Sequence, residues 1–180
     1  SRLTPGRDYL NPNFEIIVIN DGSTDKTSNV LKEFGKYISL IENKKNEGLP
    51  VALNKGIKKA LSKYIVRVDA DDYVNEDFLK FLYAYIVLNP HMDAVSCDYY
   101  LVDEEEKIIK RENSSESPIG CGIIFKSQDI IKLGLYDENF LLHEDIDLRK
   151  RFEKNFNIFR LELPLYRYRR HDKNITNDSK

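Results

Sequence analysis

No stretch of about 18 consecutive apolar residues occurs in this 180-residue chain, and its N-terminus carries no signal-like pattern. These absences predict that nothing in it spans or crosses a membrane and that its address is cytoplasmic. Cysteine is scarce. Cys97 and Cys121 stand alone, without metal-ligand spacing, as suits a reducing compartment, and each is expected to serve as buried packing. An excess of charge is lacking too: 28 basic against 30 acidic residues leave a net charge of -2, so composition makes no case for a nucleic-acid partner. The chain has no Gly-Lys-Ser/Thr phosphate loop and no Gly-x-Gly-x-x-Gly, which argues against an NTPase or a dinucleotide enzyme. It shows no internal repeat and no Ser-His-Asp or Cys-His arrangement. Asn113-Ser114-Ser115 and Asn174-Ile175-Thr176 match the glycosylation acceptor pattern, but with no secretory signal both read as chance.

What is present is an ordinary globular composition, 41% hydrophobic and 32% charged, long enough for one sizeable core and one domain. Residues 14–19 form an apolar run broken only by Glu15, and the turn formers Asn20-Asp21-Gly22-Ser23 follow. Ser23, Thr24 and Asp25 can cap a helix with Val30, Leu31 and Phe34 on its apolar face and Gly35 as its stop. A second strand is expected over 37–41. Leu49, Leu53, Ile57, Ala60 and Leu61 recur at helical spacing, with Pro50 tolerable in the first turn, and a third strand covers 64–68. Three strands separated by two helical stretches predict crossover units and a mostly parallel sheet flanked by helices, an α/β nucleotide-binding architecture.

The second half is less regular. A helix on Phe78, Leu79, Leu82 and Ile86 ends before Pro90, and a strand is expected over 94–100. Residues 103–107, with three glutamates, read as an exposed hairpin tip, and 111–118 as a polar loop. Helices are expected over 127–133 and 144–156. Residues 158–168, interrupted by Pro164, suit short strands or an extended segment, and the end from Asp172 reads as a tail.

The chemistry gathers on acids. The apolar run from Tyr64 ends in Asp69, Asp71 and Asp72, three carboxylates in four positions where a strand should leave the sheet, at the crevice that open α/β folds use for ligands. Hard divalent cations prefer carboxylate oxygens, and magnesium or manganese keeps positions open for water and phosphate oxygens. The pattern therefore suits a metal carrying a phosphorylated ligand. A calcium loop counted from Asp69 fails, because it would need Gly at Val74 and Glu at Lys80. The bland alternative is that Asp71 or Asp72 caps a helix beginning near Asn75.

A second acidic group is His143-Glu144-Asp145-Ile146-Asp147. On a helix Asp145 faces Arg149 and Asp147 faces Arg151, which by itself describes surface ion pairs worth a few tenths of a kcal/mol. Adjacent helical side chains diverge by about 100°, so Glu144 and Asp145 cannot both face one acceptor. Asn20 to Asp25 could meet a nucleoside at a strand end, and serves equally well as a turn followed by an N-cap. His171 closes Arg167-Tyr168-Arg169-Arg170-His171. Imidazole can complete a manganese shell and arginines can neutralise a diphosphate, although a lone His is more often structural or exposed.

In order along the chain, these pieces resemble the inverting glycosyltransferase family 2, whose members have the GT-A fold, a Rossmann-like α/β architecture. The resemblance rests on Glu15 to Asp25, Asn46-Glu47-Gly48 with Leu53-Asn54-Lys55-Gly56-Ile57, Asp69-Ala70-Asp71-Asp72, Gly120-Cys121-Gly122, residues 134–138, Glu144-Asp145, and Tyr168 to His171. It implies a nucleotide-binding half over 14–90 and an acceptor-binding half over 91–180. It implies further that Asp21, with Asn20, meets the nucleotide's base, that Asp69 lies near the ribose or diphosphate, and that Asp71 binds Mn2+ or Mg2+ directly. Asp72 would support that shell and His171 could join it. Asp145 would be the general base, with Glu144 as fallback or orienting partner. Gly120, Cys121 and Gly122 would line the sugar and acceptor pocket, where missing side chains leave room for a ring. The donor would be a nucleotide sugar, foremost a UDP-sugar, and the acceptor a saccharide or a lipid-linked one. A bacterial surface-polysaccharide or lipopolysaccharide pathway is the implied setting, compatible with peripheral association at the inner membrane face and with a homodimer.

Two departures stand out. Family members usually begin with a strand and helix about forty residues ahead of the segment matching Phe14, and residues 1–13 contain neither, so an N-terminally incomplete chain is expected. Leu53 stands where many relatives have arginine, and Arg67 could substitute a charge toward the nucleotide. A sugar-nucleotide nucleotidyltransferase and a non-catalytic binding domain remain the rival readings.

Overall fold

The computed structural model describes residues 13–140 and 142–170, which fall into two compact units. One comprises residues 13–65 and 126–156, the other residues 66–125 and 157–170.

In the first unit, strand β1 (Ile17–Asn20) and strand β2 (Ser39–Glu42) pair in parallel, joined through helix α1 (Thr27–Glu33). Both strands start later than the apolar pattern suggested. Just ahead of β1, Glu15 Oε1 accepts the Leu61 N–H at 2.9 Å and the Ser62 hydroxyl at 3.1 Å. None of Ser23, Thr24 and Asp25 takes the cap position of α1, which is Lys26 without a side-chain capping bond; Asp25 accepts the Thr27 N–H at 2.9 Å just ahead of it. The apolar face expected on α1 is not covered: the helix has only seven residues and buries none, and Val30 and Phe34 are half exposed. Helix α2 (Leu49–Lys59) begins as predicted, with Pro50 in its first turn. Gly56 lets α2 lie close to β1, because a methyl there would meet the end of the Ile19 side chain at 2.8 Å. Helix α4 (Ser127–Lys132) and helix α5 (Glu144–Phe152) complete this unit, with Ile130, Tyr136, Leu148 and Phe152 in its interior.

The second unit is built on a mixed sheet. Strand β5 (Ala94–Val102) and strand β8 (Ile158–Arg169) run parallel, while strand β6 (Ile108–Glu112), strand β7 (Ile123–Lys126) and strand β4 (Tyr73–Val74) pair antiparallel to these two. The order is β7-β5-β8-β4, with β6 also on β5, and strand β3 (Tyr64–Val66), in which the chain enters this unit, belongs to the same sheet. Parallel pairing thus holds for β1–β2 and β5–β8 but not throughout. The reason is local: β5 and β6 form a hairpin around the predicted glutamate tip, where Asp103 and Lys107 exchange backbone and side-chain bonds, and tight hairpins are antiparallel. Pro164 cannot donate to the ladder, and β8 accommodates it as one long strand by slipping register there: Leu161 stands opposite Cys97 and Pro164 opposite Asp98.

Helix α3 (Phe78–Leu88) presents Phe78, Leu82 and Ile86 at four-residue spacing, all at 1% exposure or less. Burying each contributes about 1.5–3 kcal/mol. Phe78 meets the ring of Tyr166 on β8, with centroids 6.0 Å apart. That contact fixes the strand next to the acidic turn.

Candidate functional site

The acidic segment leaves β3 and becomes a tight turn, closed by the Asp72 N–H donating to the Asp69 carbonyl at 3.1 Å, before β4 resumes the sheet. The acids do not cap the next helix: α3 starts at Phe78 with Asp77 at the cap position, too far along the chain for Asp71 or Asp72. They are held from β8 instead. The Tyr166 hydroxyl donates to Asp72 Oδ2 at 2.7 Å and accepts the Asp69 N–H at 3.1 Å, while the Arg169 N–H donates to Asp72 Oδ1 at 2.9 Å. Arg67 grips Asp69 bidentately, Nε to Oδ1 at 2.6 Å and Nη2 to Oδ2 at 2.9 Å, so its charge is directed to an acid of the turn.

Burial pushes the Asp72 pKa up to about 6. The bonds from Arg169 and Tyr166 work against that rise, and the negative charges of Asp71 and Asp69 add to it. Asp69, Asp72 and Cys121 form a compact group whose potential ligand atoms lie within 4.8 Å of one another, and Asp71 is not part of it. Cys121 is 3% exposed, and burial followed by the Asp69 charge drives its thiol well above the ordinary range, which keeps it protonated. The donor set left is carboxylate oxygen, which fits a hard divalent cation. His171 lies outside the described residues.

Gly120, Cys121 and Gly122 adjoin this turn, with the Gly122 N–H donating to the Arg67 carbonyl at 3.3 Å. On the side where its Cβ would lie, Gly122 faces the interior of the fold. It adopts φ +69°, and the space a Cβ would take is lined by Cys97 Sγ at 3.4 Å and the Tyr166 side chain at 3.5 Å. Its glycine permits close packing beneath the acids.

In the other unit, the turn after β1 requires Gly22, at φ +74°, because any Cβ there would overlap the Lys45 and Asn46 backbone. Asn20 is buried and spends its side chain within the fold, accepting the Ser23 N–H at 3.1 Å and donating to the Ser28 hydroxyl at 2.8 Å. Asp21 accepts from Asn43 Nδ2 at 2.6 Å and the Glu47 N–H at 3.0 Å on Oδ1, and from the Gly48 N–H at 2.9 Å on Oδ2. Slight burial raises its pKa, but these bonds and Lys55 outweigh that and hold it below the usual carboxylate value. Lys55 completes the network, donating to Asn43 Oδ1 and Glu47 Oε2, each at 2.7 Å.

Sequence reasoning gave Asn54 no role, although it lies in a quoted motif. Its buried amide holds the segment after α4: Nδ2 donates to the Tyr136 carbonyl and to Glu138 Oε1, each at 2.9 Å, and Oδ1 accepts the Tyr136 N–H at 3.0 Å. An open cleft of about 430 Å³ lies here, lined by Asn54, Lys58, residues 134–138 and Arg151.

Helix α5 begins at Glu144, directly after His143 in the left-handed region at φ +66°. Glu144 is buried at 7% exposure and Asp145 is half-buried, so the two acids differ in environment as their helical divergence requires. Asp147 pairs with Arg151 at 2.7 Å as expected. Arg149 does not pair with Asp145; its Nε donates to Glu153 at 2.9 Å, one turn further on.

Among the described residues no helix is long and apolar enough to cross a membrane. The Glycosyl transferase family 2 profile matches residues 7–150. The chain is 37% identical over 140 residues to an uncharacterized glycosyltransferase of Haemophilus influenzae, covering 74% of this chain and 37% of that protein. It is likewise 37% identical over 155 residues to a poly-beta-1,6-N-acetyl-D-glucosamine synthase of Staphylococcus epidermidis, covering 75% of this chain and 37% of the synthase. Its fold is similar to S. aureus TarS 1-349 in complex with UDP-GlcNAc, with a TM-score of 0.73 at 19% identity, covering 93% of this chain and 52% of that one. It is also similar to the mannosyltransferase PcManGT from Pyrobaculum calidifontis in complex with GDP-Man and Mn2+, with a TM-score of 0.68 at 17% identity, covering 88% and 48%. The chain covers from 14% to 57% of the length of the curated relatives compared with it, less than two thirds of each. A profile matched across most of the chain, together with the GT-A architecture of its structural neighbours, makes this chain a member of glycosyl transferase family 2.

Proposed function

We propose that this chain carries the donor-binding and catalytic residues of a divalent-metal-dependent inverting glycosyltransferase. It moves a sugar from a nucleotide-sugar donor, foremost a UDP-sugar, to a saccharide or lipid-linked acceptor in bacterial surface-polysaccharide synthesis. The observation that carries this reading is the acidic turn: three aspartates at a strand end, braced from β8 and offering hard oxygen donors. The complexes of the structural neighbours with UDP-GlcNAc, and with GDP-Man and Mn2+, support the donor class and the metal, and the poly-N-acetylglucosamine synthase relative supports the pathway.

In this reading Asp71, with Asp69 beside it, would hold Mn2+ or Mg2+, which when bound would supply positive charge to the leaving diphosphate. Asp72 braces the turn, and His171 is a candidate for the same shell. Asp145 takes the proton of the acceptor hydroxyl as its oxygen bonds to the anomeric carbon. The bond from that carbon to the phosphate oxygen breaks with its electron pair going to the nucleoside diphosphate. Glu144, the more buried acid, orients the acceptor. Asn20 and Asp21 shape the loop that meets the nucleotide's base.

Asp71→Ala should remove metal-dependent UDP binding, and Asp145→Asn should keep that binding while abolishing transfer. Calorimetry with UDP and Mn2+ checks the first, and release of UDP from UDP-sugars in the presence of acceptor checks the second. Unchanged UDP and Mn2+ affinity in Asp71→Ala, or release of pyrophosphate instead of UDP, contradicts the proposal.

A further inference from the structure

One hydroxyl holds both ends of the acidic turn. Tyr166 lies on β8 between two partners, opposite Tyr99 of β5 and Val74 of β4. Its ring is fully buried and meets Phe78 on one side, while the Gly122 backbone approaches close to it. Ring and strand are therefore fixed, and the hydroxyl can accept the Asp69 N–H and donate to Asp72 Oδ2 at the same time. With Oδ1 of Asp72 taken by the Arg169 N–H, both carboxylate oxygens of Asp72 are engaged by β8. Asp72 is thereby a tether, and Ala70 and Asp71 lie on a loop pinned at Asp69 and at Asp72 by a single side chain.

We propose that Tyr166 is a positioning residue of the metal site, which fixes the Asp69 to Asp72 turn through Asp72 and so holds Asp71 and Asp69 in place for one divalent cation. This rests on the metal reading given above. A cation of octahedral preference tolerates little displacement of its ligands, and groups that hold metal ligands in place typically account for about 10–100-fold of affinity. No function was foreseen for Tyr166 from sequence, where it reads as one aromatic among several in 158–168.

The test is Tyr166→Phe, which removes the hydroxyl and keeps the ring. Mn2+ binding in the presence of UDP, followed by electron paramagnetic resonance of the free ion, should weaken by about tenfold or more. UDP binding in EDTA should stay at the wild-type level. Ile86→Val is the packing control: it thins the α3 core two turns from Phe78 and keeps the ring contact and the hydroxyl, so it should lower the melting temperature and leave Mn2+ affinity within about twofold. In Asp72→Asn the tether is already weakened, and adding Tyr166→Phe should cost little more. If Tyr166→Phe fails to fold, Asp72→Asn alone should still show the tenfold loss. Wild-type Mn2+ affinity in a folded Tyr166→Phe, or in Asp72→Asn, overturns the proposal. Fully additive losses also overturn it, since Asp72 would then act as an independent ligand. A wild-type protein that binds no Mn2+ with UDP or GDP sinks the metal reading itself, and this inference with it; that outcome is separate from a wild type that binds and a variant that binds equally.

Discussion

Asp98 and Asp72 are two carboxylates of the same unit, both withdrawn from water, and their surroundings drive them in opposite directions. Asp98 is fully buried on β5. It accepts two bonds from Arg160 at 2.8 and 2.7 Å, one from Arg111 at 2.8 Å, and the Ser114 N–H at 3.2 Å. Burial raises its pKa, but the arginine bonds and the Ser114 bond overwhelm that and bring it down to about 2. Asp72 has one hydroxyl and one amide as donors and two further aspartates close by, and it ends at about 6. Burial is common to both; the counter-charge is not. A fold that needed only to tie strands together would supply Asp72 with an arginine as it does Asp98. Asp72 itself, held by neutral donors beside two other acids, has the unmet counter-charge that the proposed divalent cation would supply.

The largest expected effect lies on the structural side. Asp98→Ala removes the acid that ties β5, β6 and β8 together and strands two guanidinium groups. Breaking a buried pair costs about 3–5 kcal/mol, and because the arginines are partly exposed and can rehydrate, the low end, about 3 kcal/mol, is expected. Urea unfolding measures it. The folded fraction should bind Mn2+ and UDP as wild type does, and loss of that binding would break the distinction between the two acids.

Stability against pH sharpens the comparison, with opposite signs. The depressed pKa of Asp98 contributes stability that is present above the ordinary value of 3.8 and is lost as pH falls through about 2. It is on the order of 2 kcal/mol. The raised pKa of Asp72 means that the folded state binds the proton more tightly than the unfolded chain. Stability is highest when Asp72 is protonated and declines by at most about 3 kcal/mol as pH rises from near 4 through about 6. Asp98→Asn should therefore flatten the acid limb, and Asp72→Asn the decline between pH 4 and 6. Thermal melts across pH in the absence of metal test both.

These two acids also mark how far the sequence could be read. Asp69 to Asp72 was visible because three acids end an apolar run. Asp98 was not, because its partners Arg111 and Arg160 lie 13 and 62 residues away, and no spacing rule links residues brought together by sheet pairing. The helices on residues 49–59 and 78–88 were legible from four-residue apolar spacing, and their ends from Pro50 and Pro90. Strands β4 and β7 were not: one has two residues, and the other follows a glycine-rich stretch without alternation. Gly120 to Gly122 was placed near the site by motif, but its packing against Cys97 and Tyr166 depends on long-range contacts. The mixed strand directions follow from the same blindness, since periodicity predicts a strand and says nothing of its neighbour.

A smaller effect is expected at Gly122. Alanine at φ +69° costs about 1–2 kcal/mol in backbone strain, while the new methyl meets its neighbours at ordinary contact distance. Gly122→Ala should lower stability by that amount. Because the added methyl lies against Tyr166, it should also weaken Mn2+ binding modestly, which Asp98→Ala should not. A variant that loses stability without any change in Mn2+ affinity would put Gly122 on the Asp98 side of the comparison.

The smallest effect concerns a third acid, Asp21, which resembles Asp98 in having its acceptors filled and differs in being close to solvent. Its bonds to Asn43, Glu47 and Gly48 hold the loop ahead of α2, and the lowered pKa means that this contribution is present above the usual carboxylate value and fades in acid. Asn offers one oxygen where three donors converge, and its amide faces another amide on Asn43. Asp21→Asn should therefore loosen residues 46–48 locally, by about 1 kcal/mol or less, because water can replace bonds at an accessible site. Hydrogen exchange at the Glu47 and Gly48 amides should accelerate several-fold while the global melting temperature stays nearly constant. If UDP affinity measured without metal falls in step with that exchange, Asp21 acts on the nucleotide through the loop it holds. If affinity falls much further than the loosening accounts for, the carboxylate itself meets the base, and Asp21 belongs with the acidic turn and not with Asp98.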